Sequence, residues 1–387
     1  MMKGWEIKKL GEVCVVIAGQ SPEGRYYNDD GNGLPFYQGK KEYGKKYLGN
    51  PTTWTTKVTK EAEANDILMS VRAPVGPINI SCQKICIGRG LAAIRATKLI
   101  DKEFLFNFLL KHENEIVGNT GAVFNSINKA QIEAIKIPLP TLPEQVRIVA
   151  IIDEAFAAIN KAKANAEQNL KNAKELFESY LQEVFENKGE GWVHTRLGDV
   201  CRINDGTHFS PKNTSDGAYM YITAKNIKPY HIDLSKISYI SEEDHKEIYS
   251  RCSPIKGDVL YIKDGATAGI AAINTLDEEF SLLSSVALLK CSSKILNTFL
   301  VHYMNSTYGK KNFLGYIGGA AITRLTLIKI KNVCFSLPPL EAQKTIIRNI
   351  DTLFTKTKQL ETIYKQKIND LEELKKSVLQ KAFSGEL

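Results

Sequence analysis

The chain has 387 residues, room for two or three domains, and its 43% hydrophobic and 24% charged content is that of a folded protein. No run of about 18 uncharged apolar residues occurs, which excludes a transmembrane helix, and the charged first residues lack the apolar core of a secretory signal. A net charge of +8 suits a polyanionic partner; seven scattered cysteines, with Cys82 and Cys86 lacking a second Cys or His pair, argue against zinc and for reduced thiols in a cytoplasm.

In chain order, "WEIKKLGEV" at 5 leads into the β-rich run "EVCVVIAG" at 12. Residues 37–60 then hold six lysines (Lys40, Lys41, Lys45, Lys46, Lys57 and Lys60) against one acid, Glu42, interleaved with Tyr37, Tyr43, Tyr47 and Trp54. Basic side chains mixed with aromatics and amides suit a polyanion whose base edges are also read, although a solvated lysine loop has the same composition. The stretch "GKKEYGKK" falls short of a phosphate-cradling loop, because Lys46 stands where the magnesium-binding hydroxyl belongs. "NDILMSVRAPVG" follows at 65, "ISCQKICI" at 80 reads as a further strand, and "KEFLFNFLLKHENEIV" at 102 reads as a helix.

"IPLPTLPEQ" at 137 is a hinge, and from Pro143 a helix free of Gly and Pro runs to Lys188. Its apolar residues recur at 148, 152, 155, 159, 162, 166, 173, 176 and 180, with Asn169 at the skipped heptad place. The pattern then restarts. "WVHTRLGDV" stands at 192, "YMYITAKNIKPYH" at 219, "YIKDGATAG" at 261, "VALLKC" at 286, and a helical run "LNTFLVHYMNSTYGKKNF" at 296. A second hinge, "FSLPPLEAQ" at 335, opens a second long helix in which the same register gives positions 346, 350, 353, 357, 360, 364, 371, 374 and 378, all apolar but Thr357, with Lys367 at the skipped place.

The offset between copies is 198 for the helices (343 − 145), 192 for "GDVLYIKDGATAG" at 257 (257 − 65), and 187 for the opening tryptophan (192 − 5). The second module has thus gained 11 residues (198 − 187) while the helix has gained none, as expected of tolerant loops and a packed helix. About 44 residues make a rod of roughly 66 Å, longer than one module, so the helices are expected to pair with one another, antiparallel, rather than each packing on its own module. Two modules related by a pseudo-twofold axis would follow.

Catalytic machinery is not legible. No G-x-G-x-x-G opens a βαβ unit, no Asn/Asp-Pro-Pro-aromatic tetrapeptide occurs, Ser284 and Ser285 lack a glycine elbow, and the six histidines are dispersed. Lys40, Lys41, Lys45 and Lys46 are the candidates for DNA phosphate contact, and Gln38, Arg72, Lys225, Asn226 and Lys263 for base edges. A coiled-coil scaffold for proteins alone, or a stand-alone methyltransferase lacking its motifs, are the competing classes.

The opening Trp with "LGEV", "NDILMSVRAPVG", "IPLPTLPEQ" before a long helix, and the terminal "LQKAFSGEL" together resemble the specificity subunit of type I restriction-modification systems, over essentially the whole chain. The resemblance implies an α+β fold with two target-recognition domains (1–139 and 189–337) and two conserved antiparallel helices (140–188 and 338–387) forming a coiled coil. It implies a non-catalytic subunit that reads double-stranded DNA at a bipartite, asymmetric site, one half per domain, with the helices as a ruler for the gap. It also implies two methyltransferase subunits, which bring S-adenosylmethionine, and a restriction subunit that uses ATP and magnesium.

Overall fold

The computed structural model describes residues 4–113, 126–315 and 325–387, and its contacts fall into two units: Met1–Ala166 with Gln366–Leu387, and Glu167–Lys365. In the first unit, β1 (Glu6–Lys9) passes through one helical turn, α1 (Leu10–Val13), into β2 (Cys14–Ala18). So short a helix is held by packing rather than propensity, and Leu10 and Val13 are both buried. Next come β3 (Tyr27–Asn28), β4 (Leu34–Tyr37), β5 (Trp54–Thr55) and β6 (Glu61–Ala62). They are followed by β7 (Ile67–Ser70), β8 (Ile78–Ile80), β9 (Ile85–Ile87) and β10 (Leu91–Ala96). Two sheets result, ordered β2-β10-β7-β8 and β3-β5-β4-β9-β6. The apolar runs of β7 and β9 are buried at every residue, as strands covered on both faces must be.

After the sheets, Asp101 caps α2 (Lys102–His112) by accepting a 2.9 Å bond from the Phe104 amide. Then α3 (Lys129–Glu133) and β11 (Lys136–Leu139) return the chain to β1, Glu6 opposite Leu139, and α4 (Leu142–Glu186) begins. The run at 80–87, expected as one strand, is two: β8 and β9 lie in different sheets, separated by a turn in which the Ser81 hydroxyl donates to the Gln83 carbonyl at 2.6 Å. The helix expected over 102–117 is α2 through His112; residues 114–117 lie outside the described residues.

The second unit repeats this order with β12 (Val193–Arg196), α5 (Leu197–Val200), β13 (Cys201–Asp205) and β14 (Tyr219–Ile222). β15 (Ile227–Lys228), β16 (His231–Ile232), β17 (Ser238–Ile240) and α6 (Glu242–Arg251) come next. β18 (Val259–Ile262), β19 (Ala271–Ile273), β20 (Phe280–Leu282) and β21 (Val286–Cys291) complete the sheets. The helical run at 296–313 is two helices, α7 (Asn297–Asn305) and α8 (Thr307–Leu314), because Ser306 ends one and caps the other. α9 (Leu327–Lys331), β22 (Cys334–Leu337) and α10 (Leu340–Ser384) follow. The order β13-β21-β18-β19 reproduces that of β2-β10-β7-β8, and Val193 faces Leu337 as Glu6 faces Leu139. The offset is 187 at β2/β13 (201 − 14), 192 at β7/β18 (259 − 67), 195 at β10/β21 (286 − 91) and 198 at α3/α9 (327 − 129). The extra residues therefore enter between these elements, in segments that include α6 of the second unit, and no element of this framework absorbs one.

Both long helices contain 45 residues and start 198 apart (340 − 142). They pack together, antiparallel within each unit. In the first unit Ile148 and Ile152, near the start of α4, share a core with Leu379, Ala382 and Phe383 near the end of α10, and with Phe104 and Phe108 of α2. In the second unit Phe177, Leu181 and Phe185 of α4 share a core with Ile350 of α10 and Phe299 and Tyr303 of α7. Each helix thus faces both its partner and a module, and the two expected alternatives are combined.

The expected heptad needs correction. Ile148, Ile152, Ile159 and Ala166 are buried, but Leu176, Leu360 and Leu374, assigned to the seam, are 53%, 37% and 48% exposed. Asn169 and Lys367, expected to break the seam, are also exposed, and half-buried Leu170 and Ile368 stand beside them. A straight helix drifts about 20° per heptad from a 3.5-residue repeat, so three heptads from 148 to 169 accumulate ~60° and the next residue turns inward. Beyond that point the buried residues of α4 recur every four, at 173, 177, 181 and 185.

Candidate nucleic-acid interface

The first unit gathers three chain segments at one sheet edge. β4 ends at Tyr37, which is buried, and the exposed Gln38 follows. The Gly88 amide donates to the Tyr37 carbonyl at 2.8 Å, and the Val71 amide donates to the Gly90 carbonyl at 2.9 Å. A Cβ on Gly90 would lie 2.2 Å from the Gln38 carbonyl oxygen, so only glycine lets these backbones approach. The residues between and beside these bonds, Gln38, Arg72 and Arg89, are all exposed. The Arg89 amide also donates to the Ser21 hydroxyl at 3.3 Å, joining the turn after β2 to the same edge.

Lys40 and Lys41 follow Gln38 on a single 3-10 turn, Lys40–Glu42, and both are exposed, as is Lys45. Lys46 points inward instead. Its ammonium lies 2.8 Å from Glu103 of α2 and 5.4 Å from the Phe106 ring centre. Desolvation is the largest single effect and disfavours both charges, yet their mutual hydrogen bond and the attraction of neighbouring opposite charges together outweigh it, holding Lys46 above and Glu103 below their ordinary pKa values. The interleaved aromatics divide as well: Tyr37 is core, its hydroxyl donating to the Gly49 carbonyl at 2.9 Å, whereas Tyr47 is 47% exposed.

In the second unit the same framework carries different polar groups. At the β4/β14 offset of 185 (219 − 34), Thr223 replaces Gln38, Lys225 matches Lys40 and Asn226 matches Lys41. At the offsets of 192 and 195, Asp264 replaces Arg72 and Ser284 replaces Arg89. The equivalent backbone bond persists, with the Lys263 amide donating to the Ser285 carbonyl at 2.9 Å. Lys225 is exposed on a cleft of about 390 Å³ lined also by Ser210, Asn213, Thr223, Lys236 and Ser285. Asn226 is buried: its carbonyl accepts from the Thr223 amide at 3.0 Å and its amide donates to the Asp233 carbonyl at 3.2 Å, which shapes the turn. Lys263 is buried too, 2.9 Å from Asp264 and 3.5 Å from Asp205, an acid that Arg251 also pairs with at 3.1 Å.

The structure therefore brings Gln38, Lys40, Lys41 and Arg72 to one edge, leaves Lys45 exposed on the turn that bonds to β8, and puts Lys225 on the second unit's cleft. Lys46, Asn226 and Lys263 serve internal contacts. Arg89 was not among the sequence candidates; its signal is the pair of glycines around it in "GRG" at 88. Among the described residues no cluster of His, Cys, Asp or Glu could hold a metal ion, and no helix is long and apolar enough to cross a membrane.

The family described as "Type I restriction modification DNA specificity domain" matches this chain twice, over residues 2–169 and 189–373. The chain belongs to this family. As a type I specificity subunit it is a non-catalytic component of a restriction enzyme, and its two matches coincide with the two copies of the repeat. It is 22% identical to the type I restriction enzyme MjaIX specificity subunit of Methanocaldococcus jannaschii, over all of this chain and 94% of that one. A second relative in that organism, assigned as the MjaX specificity subunit, is 44% identical over 180 residues, which span 44% of this chain and 42% of the relative. The fold of a chain solved for complex assembly and conformational transition of the type I R-M system superposes with a TM-score of 0.81, at 22% identity and covering 100% of this chain and 99% of that one.

Proposed function

We propose that this type I specificity subunit reads a bipartite, asymmetric site in double-stranded DNA, residues 1–139 taking one half and 189–337 the other, while the helical segments 140–188 and 338–387 set the gap. Two methyltransferase subunits, which bring S-adenosylmethionine, dock on it in a cytoplasm, and restriction subunits using ATP and magnesium join them. The observation that carries this reading is a framework repeated to the register of its strands with different polar groups at equivalent edge positions: Gln38 and Thr223, Arg72 and Asp264, Arg89 and Ser284. A shared framework with different donors and acceptors suits two different base sequences. Lys40, Lys41 and Lys45 in the first half are the phosphate contacts, and Lys225 in the second takes a base edge. Gln38 and Arg72 take base edges, and Lys46, Asn226 and Lys263 support the backbone around them.

The test exchanges residues 192–337 for the matching module of another family member. The chain is then expressed with its methyltransferase subunits and the methylated sites are sequenced. One half of the site changes and the other stays. If both halves change, the modules are not independent readers.

A further inference from the structure

The first unit contains five arginines, and their partners divide them. Arg25 lies 3.0 Å from Glu23, Arg95 forks onto Asp66 through two 2.8 Å bonds, and Arg147 forks onto Glu144. Arg72 and Arg89 have no acidic partner among the described residues. These two unpaired guanidinium groups sit on adjacent backbone segments, one residue either side of the Val71–Gly90 bond, at the edge where Gln38 stands. Arg89 is also flanked by closely packed backbone. A Cβ on Gly88 would meet the Gln38 Cα at 3.0 Å, and one on Gly90 would meet the Gln38 carbonyl at 2.2 Å.

A phosphate asks only for charge, and Lys40 and Lys41 already supply it beside this edge. An arginine whose backbone is clamped offers something more specific, a planar fork of donors that matches the O6 and N7 acceptors of guanine. The second unit has no such fork at the equivalent places: Asp264 is already engaged by Lys263, and Ser284 carries a short hydroxyl.

We infer that Arg72 and Arg89 read guanine, so that the half-site taken by the first module contains a G·C pair specified by one or both of them, and that the second module reads its half by other means. This rests on the bipartite reading above and goes further, by assigning a base class to one half and residues to the base.

The full chain, with its methyltransferase subunits, is expressed in a host lacking the modification, as wild type, Arg72→Gln, Arg89→Gln and Arg25→Gln, and methylated sites are sequenced. The half that survives exchange of residues 192–337 is the first module's. That half is expected to specify at least one G·C pair, and one of the two edge variants relaxes it by about tenfold or more. The other half and the gap stay, and Arg25→Gln keeps the entire motif. A first half made only of A·T pairs, or an unchanged motif in both edge variants, overturns the inference while leaving the two-module reading intact. If an edge variant directs no methylation, binding of the assembled complex to duplexes differing at the G·C positions decides. Loss confined to the guanine duplex supports base reading. Uniform weakening, with a salt slope shallower by about one, makes the arginine a phosphate contact and overturns it. A wild-type chain with no two-part motif overturns both readings.

Discussion

Gln145 and Gln343 explain why the Leu-Pro hinge recurs. The Gln145 amide donates to the carbonyls of Pro140 at 2.9 Å and Leu99 at 3.3 Å, and its oxygen accepts from the Asp101 amide at 2.7 Å. Gln343 does the same with Pro338, Lys294 and Leu296, at 2.9, 3.0 and 2.8 Å. One buried side chain thus ties the first turn of each long helix to its hinge and to the loop before α2 or α7. Gln145→Ala removes the partner of three backbone groups, that of Pro140 buried and those of Leu99 and Asp101 partly buried, and is expected to lower stability by about 1–3 kcal/mol, read as a shift in urea midpoint; a shift below ~0.5 kcal/mol would reduce the residue to a bystander. The motif around Gln145 was legible in the sequence. Its role was not, because the partners lie 44 and 46 residues away.

His302 gives the second residue-level expectation. Burial pushes its pKa below the ordinary 6.5, opposed in part by Asp351, 3.2 Å from its Nε2. The folded value lies below the unfolded one, so the unfolded chain binds the extra proton first and stability rises with pH. The contribution is complete above about pH 6.5 and is lost as pH falls through the folded value. His302→Gln should flatten the fall in urea midpoint between about pH 7.5 and 5.5. An undiminished fall in the variant would place the acid sensitivity elsewhere.

At the scale of the element, the long helices show where periodicity stops informing. The heptad located the buried residues of α4 as far as Ala173 and then failed by one position at Leu176, because a repeat of 3.5 and a helix of 3.6 part company over three to four heptads. The consequence is a pair of neighbours with opposite fates. Phe177 is 9% exposed and its ring centre lies 5.3 Å from that of Phe354, whereas Leu176 is 53% exposed. Phe177→Ala is expected to cost ~3–5 kcal/mol, and Leu176→Ala to stay within about 0.5 kcal/mol. Equal costs by urea denaturation would restore the original heptad. Strands were less legible where a turn hid inside an apolar run, as at Ser81 between β8 and β9.

For the whole molecule, the repeat was legible because insertions confined to the segments between framework elements left long stretches at constant offset. The reading edge was harder. Gln38, Arg72 and Arg89 are spread over 51 residues (89 − 38), and only strand pairing brings them together. Lys263 shows the converse: charge and position suggested a base contact, and burial beside two acids engages it internally. If two readers are held a fixed distance apart by helices of fixed length, a longer helix must move them. Inserting a second "KAKA" after Ala164 lengthens α4 by ~6 Å and turns its downstream part by about 40°. That length is close to two base pairs of DNA, and the step nearly preserves the buried face. The decisive measurement is the methylated motif directed by this variant with its methyltransferase subunits. The same two half-sequences separated by a longer gap are predicted; an active variant with an unchanged gap would contradict a ruler made of helices.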